Sequence, residues 1–210
     1  MKLEDSIMID NFIEYITHKI LIAMLTDEDI DRKTDKYVIL RYSIYNIINE
    51  IFKIVIFFFI FEIFGYSKEF CYAITIMISI RVFNGGIHKK SNFECFCYSL
   101  FILTLVILFG ELIEIGFFTK IFITMLFIII IICYAPIISK KRANYSLNKK
   151  KEMKRLSVCI VLIWFMVSLF SANKIASIIY LCEVIEMIEI LYVAKFGKEG
   201  RKSGYKSNIN

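Results

Sequence analysis

Six apolar runs, centred on residues 44–66, 69–83, 95–110, 119–138, 156–172 and 175–194, leave this chain few ways to fold. Several approach the roughly 20 residues that a helix needs to cross a hydrocarbon core about 30 Å thick. In lipid each backbone polar group must be satisfied within its own segment, so helices are the only plausible elements. Of the 210 residues 58 % are hydrophobic, with 20 Phe, 8 Gly and a single Pro, which leaves too few polar groups to coat a soluble globule. The expected architecture is all-α: a polytopic integral membrane helical bundle with four to six transmembrane helices.

The N-terminus does not read as a cleaved signal peptide, because Glu4, Asp5 and Asp10 stand where a basic region belongs. Within residues 7–25, Ile9, Phe12, Ile13, Ile16 and Ile20 share one helical face, and Asp10, Glu14, Thr17 and His18 share another. That pattern predicts an amphipathic helix lying in the membrane interface. Residues 1–36 are therefore expected to be this helix with a polar loop, residues 37–194 the transmembrane domain, and residues 195–210 a basic tail. Cys71, Cys133, Cys159 and Cys182 lie inside apolar runs, where cysteine behaves as a small hydrophobe, and no disulfides are expected.

Cations are concentrated in alternate connections. Arg81, Lys89 and Lys90 occupy one, residues 139–155 form a basic loop, and Lys195, Lys198, Arg201, Lys202 and Lys206 mark the tail. The intervening gaps hold Lys68 with Glu69, then Glu111, Glu114 and Lys120, then Lys174. The positive-inside rule puts both termini, the basic loop and residues 81–95 on the cytoplasmic side of a multi-pass cell-membrane protein. The last run also carries Glu183, Glu186 and Glu189, and an ionised carboxylate near the bilayer centre costs about 2.5–3.5 kcal/mol. These glutamates face a cavity or a partner, or the segment lies at the interface.

One polar gap carries reactive chemistry. It reads Arg81-Val82-Phe83-Asn84-Gly85-Gly86-Ile87-His88-Lys89-Lys90-Ser91-Asn92-Phe93-Glu94-Cys95. A neutral imidazole can take the proton from a thiol, and the thiolate can attack a peptide carbonyl, so His88 and Cys95 suggest a general base and its nucleophile. On one continuous helix they would lie about 10.5 Å apart along the axis, too far for proton transfer. The gap must fold back, and Gly85-Gly86 offers a permissive backbone for the reversal. A helix starting near Cys95 would stabilise a thiolate through its free amides and dipole. Cys97, two positions on, would point about 200° away. A metal site is disfavoured, since zinc takes about four ligands and the gap offers His88, Cys95, Cys97 and Glu94 without a finger-like spacing. No cofactor and no nucleic-acid partner are expected.

With these residues the chain resembles the accessory gene regulator B (AgrB) family of membrane peptidases, which process quorum-sensing propeptides in Gram-positive bacteria. That family carries an arginine, a glycine pair, a histidine two residues after the second glycine, and a cysteine seven beyond the histidine. The matching positions are Arg81, Gly85-Gly86, His88 and Cys95. Tyr134-Ala135-Pro136 ahead of Lys140-Lys141-Arg142 also looks like the family, and the likeness covers nearly the whole chain. Two features depart from it: Lys89, where a small residue often follows the histidine, and the extra Cys97.

The resemblance implies a cysteine endopeptidase in which Cys95 is the nucleophile and His88 its base, while Arg81, Gly85 and Gly86 support the site. It implies cleavage of an AgrD-like propeptide through an acyl-enzyme thioester, cyclisation to a thiolactone or lactone, and a homodimer. The basic residues Lys140, Lys141, Arg142, Lys149, Lys150 and Lys151 can attract an acidic propeptide tail, or fix topology and bind anionic lipid headgroups. Two rival classes remain. A small membrane transporter or peptide export factor would use Glu111, Glu114 or the Glu183, Glu186 and Glu189 series, and would tolerate loss of Cys95. A non-catalytic adaptor would tolerate loss of both His88 and Cys95.

Overall fold

The computed structural model describes residues 4–24, 35–85, 92–137 and 146–196. These residues form seven helices: α1 (Glu4–Met24), α2 (Asp35–Ile63), α3 (Ser67–Asn84), α4 (Asn92–Leu112), α5 (Phe117–Tyr134), α6 (Leu147–Phe170) and α7 (Asn173–Phe196). Each of the six apolar runs falls mostly within one of the helices α2 to α7. Four spans, Leu40–Ile63 within α2 and the whole of α4, α5 and α6, are long and apolar enough to cross a membrane. The chain is an all-α, multi-pass membrane protein.

Helix ends follow local chemistry. Gly65 takes φ +77° after α2, a left-handed conformation that glycine adopts without steric cost, and its N–H donates to the Glu62 carbonyl at 3.0 Å. Ser146 caps α6 by accepting from the Lys149 N–H at 3.3 Å. That cap starts α6 well before its apolar run, so Lys149, Lys150 and Lys151 ride on its first turns. At the other boundary, α5 stops at Tyr134, two residues ahead of Pro136, as expected of a residue that cannot continue a helix.

The described residues group into two compact units. The first comprises Met1–Gly65 with Lys90–Cys97, so it contains α1, α2 and the start of α4. Here α1 packs on α2 through Ile13, Thr17 and Leu21, one stripe at four-residue spacing. Thr17 was expected on the polar face. It is buried instead, because its hydroxyl donates to the Ile13 carbonyl at 2.7 Å and so needs no water. Outside this stripe, Arg41 of α2 pairs with Glu14 of α1.

The second unit comprises Tyr66–Lys89 with Tyr98–Asn210. Its most enclosed element is α7, which buries Ala176 to Tyr180, Cys182, Glu183, Glu186, Met187, Glu189 and Ile190 against α3, α5 and α6. Gly110 lets α4 approach α7 closely, since a Cβ there would lie 2.6 Å from Ile178 Cγ1. Helices α3 and α7 run parallel. Lys174 at the start of α7 meets Glu69 at the start of α3 at 3.0 Å, and twelve residues further along both helices Glu186 meets Arg81 at 2.6 Å.

Lys174 also bridges to Glu111 at 3.2 Å, and Tyr66 donates to the same carboxylate at 3.3 Å. Residues from the three cation-poor connections therefore meet at one end of this unit, as alternating helices require. Of the four cysteines within apolar runs only Cys182 is enclosed; Cys71, Cys133 and Cys159 are exposed, and all six cysteines are free thiols.

If Gly110 sets the α4–α7 distance, Gly110→Ala lowers the melting temperature in detergent, an overpacking cost of about 1–3 kcal/mol. The same change costs less in an Ile178→Ala background. Equal costs in the two backgrounds would show that the contact does not limit packing.

Candidate functional site

In the first unit, α2 presents Asn49, Lys53, Phe57 and Phe61 as a buried stripe at four-residue spacing. Three of these residues meet the first turns of α4. Asn49 Nδ2 donates to Asn92 Oδ1 at 3.4 Å, while Asn92 Nδ2 donates to the Tyr45 hydroxyl at 2.8 Å. Phe57 lies against Phe96 with ring centroids 4.8 Å apart. Between these contacts, Lys53 Nζ lies 3.5 Å from Cys95 Sγ and 2.6 Å from Glu50 Oε1.

Cys95 is the fourth residue of α4, so its thiol sits in the turn whose backbone amides lack helical partners. The expectation of a helix starting close to Cys95 is met. Cys95 is half-buried and Cys97 exposed, which agrees with their opposite directions on the helix. Glu94 is also exposed.

In the second unit, Arg81 sits in the last turn of α3. Its Nε donates to Glu186 Oε1 at 2.6 Å and its Nη2 to Glu189 Oε1 at 2.5 Å. Tyr98 donates to the same Glu189 oxygen at 3.1 Å. Of the alternatives open for the glutamate series, Glu186 and Glu189 take the partner. Glu183 is fully buried, and among the described residues neither of its carboxylate oxygens has a hydrogen-bond partner, nor does Glu186 Oε2. The buried carboxylates outnumber the guanidinium, and Glu186 and Glu189 share its charge.

The motif's first glycine has two physical reasons to be glycine. Gly85 takes φ +79°, and a Cβ there would stand 2.5 Å from the Ile137 carbonyl oxygen. The segment after α5 lies across the end of α3, because the Ile137 N–H donates to the Asn84 carbonyl at 2.8 Å. Asn84 itself is fully buried and its Oδ1 accepts from Ser157 at 2.6 Å. Gly85, Asn84 and Ser157 thus join the end of α3 to the segment after α5 and to the middle of α6. The Tyr134-Ala135-Pro136 turn, picked out in the sequence, belongs to this junction.

Gly86, His88, Lys89 and Lys90, with Lys140, Lys141 and Arg142, lie outside the described residues. Among the described residues no three histidine, cysteine or acidic side chains converge to hold a metal ion. Trp164 donates to Ser79 Oγ at 2.9 Å, a packing role. His18 is exposed on α1.

Sequence reasoning missed Lys53. The signal was present, since a lysine inside the first apolar run, three residues after Glu50, is costly in lipid and calls for a partner. Counting apolar periodicity passes over such a residue.

Removing one member of the buried Arg81 cluster should leave uncompensated charge. Arg81→Met is expected to cost about 3–5 kcal/mol, read as loss of the folded fraction in detergent melts. Adding Glu186→Gln to Arg81→Met should recover part of it. Additive losses in the double variant would mean that the two groups do not stabilise each other.

The family described as Accessory gene regulator B matches residues 9–190, which include Arg81, Gly85, Gly86, His88 and Cys95. A protein of Clostridium perfringens (strain SM101 / Type A) named AgrB-like is 26 % identical over 174 residues, covering 78 % of this chain and 77 % of the relative. A second of that name, from Clostridium beijerinckii, is 24 % identical over 157 residues, covering 73 % and 76 %. No solved structure matches the chain. With the family match spanning most of its length, the chain belongs to the accessory gene regulator B family.

Proposed function

We propose that this protein is a membrane cysteine endopeptidase that cuts the C-terminal part from an AgrD-like quorum-sensing propeptide and cyclises the remainder. The observation that carries the proposal is the setting of Cys95, a half-buried thiol in the first turn of α4 beside a buried ammonium. The family membership supplies the substrate class.

His88 takes the thiol proton, and the Cys95 sulfur attacks the scissile carbonyl. The C–N bond breaks as that proton passes to the leaving amine, so the C-terminal fragment departs and the rest of the peptide is held as a thioester. An internal cysteine or serine of the peptide then gives its proton to His88 and attacks the thioester. The new thiolactone or lactone forms as the bond to Cys95 breaks. Exchange of one thioester for another changes bond energy little, so the outcome depends on excluding water and holding the internal nucleophile close. A site at the end of a membrane helix serves both needs.

On this reading the site faces the cytoplasm, following the cation-rich connections. Lys149, Lys150 and Lys151, on the first turns of α6, together with Lys140, Lys141 and Arg142, attract an acidic propeptide tail and anionic headgroups. Two copies of the chain form a homodimer.

The test is mass spectrometry of a propeptide encoded beside the gene, incubated with purified protein in lipid. Cys95→Ala abolishes release of the C-terminal fragment, His88→Ala lowers it about 10²–10⁴-fold, and Cys97→Ala leaves it intact. Undiminished release by Cys95→Ala would overturn the proposal and return attention to the glutamates of α7.

A further inference from the structure

We infer that Lys53 is a catalytic residue, whose ammonium stabilises the Cys95 thiolate. The inference rests on the cysteine peptidase reading and deepens it.

Lysine in a membrane helix ordinarily stretches its stem until the ammonium reaches water or headgroups. Lys53 does not. Only 4 % of the residue is exposed, although Leu40–Ile63 is apolar enough to cross the membrane. Its ion pair with Glu50 does not account for this burial, because the Glu50 side chain is 57 % exposed and a lysine seeking only that partner could stay outside. What holds the ammonium inward is the stripe it belongs to. Asn49 lies one turn before it and Phe57 one turn after, and these touch Asn92 and Phe96 of α4. Contacts on either side of Lys53 therefore fix the register of α2 against α4, and that register delivers Nζ to within 3.5 Å of Cys95 Sγ.

A positive charge at that distance offsets the negative charge that develops on the sulfur as it attacks, and the N-terminal end of the α4 dipole acts in the same direction. The same charge serves twice in the cycle. During attack it stabilises the thiolate that becomes the nucleophile. During cyclisation the C–S bond to Cys95 breaks, the electron pair returns to sulfur, and Lys53 stabilises the leaving thiolate. His88 carries the protons and Lys53 carries none.

The test separates this role from the peptidase reading by measuring the thiol without substrate. In a Cys97→Ala background, in lipid at pH 7, the rate of Cys95 alkylation by iodoacetamide is followed by peptide mass spectrometry for Lys53, Lys53→Met and Lys53→Arg. Lys53→Met is expected to slow alkylation about tenfold or more, as loss of a charge-assisted contact does, and propeptide cleavage falls with it. Lys53→Arg keeps the charge and retains most of the alkylation rate, which also shows that the position tolerates substitution. Unchanged alkylation in Lys53→Met overturns the assignment, whatever happens to cleavage. Slowed alkylation with unchanged cleavage overturns it too. Failure of the peptidase reading itself looks different, since Cys95→Ala would then still cleave.

Discussion

The ion pairing of Arg81 with the buried carboxylates of Glu186 and Glu189 is the interaction on which the second unit depends. Helices α3 and α7 carry too much charge to be comfortable alone in lipid, yet α7 is the most enclosed helix of the unit. The contradiction disappears once they are seen as a parallel pair. Each supplies the counter-charge that the other needs, at Glu69 with Lys174 at one end and at Arg81 with Glu186 about 18 Å along. Outward faces of α4, α5 and α6 then remain free to be apolar, as their exposed Phe101, Phe122 and Ile163 are.

This pairing also gives the motif arginine a physical role. Arg81 lies four residues before Gly85, and the last turn of α3 is held twice: by Arg81 on α7 and by Asn84 on Ile137 and Ser157. The chain leaves α3 from a fixed point, through a glycine that no larger residue could replace without meeting Ile137. The segment that carries His88 starts there and ends where α4 begins. Arg81 and Gly85 thus fix the end of α3 within the second unit, and within the first unit Cys95 is held by contacts from α2.

Much of this was legible in the chain itself. The six apolar runs became α2 to α7, Pro136 marked the end of α5, and Cys95 stood at the start of a helix with Cys97 turned away. What stayed hidden was pairing. Arg81 and Glu186 are 105 residues apart, and no periodicity links them. Thr17 looked polar because a helical wheel does not show its bond back to the Ile13 carbonyl. The start of α6 was obscured by its lysines, which read as a loop although Ser146 caps them into helix. Lys53 escaped for a similar reason: its stripe contains Asn49 and itself beside Phe57 and Phe61, so half of a buried face is polar.

The central claim is that Cys95 becomes covalently joined to the peptide it cuts. Rapid acid quenching of the wild-type protein with its propeptide, followed by mass spectrometry, reads this directly. The account predicts an adduct on Cys95 with the mass of the N-terminal propeptide fragment less water, removed by hydroxylamine as a thioester is. Release of the C-terminal fragment with no adduct on Cys95 at any time point would contradict it.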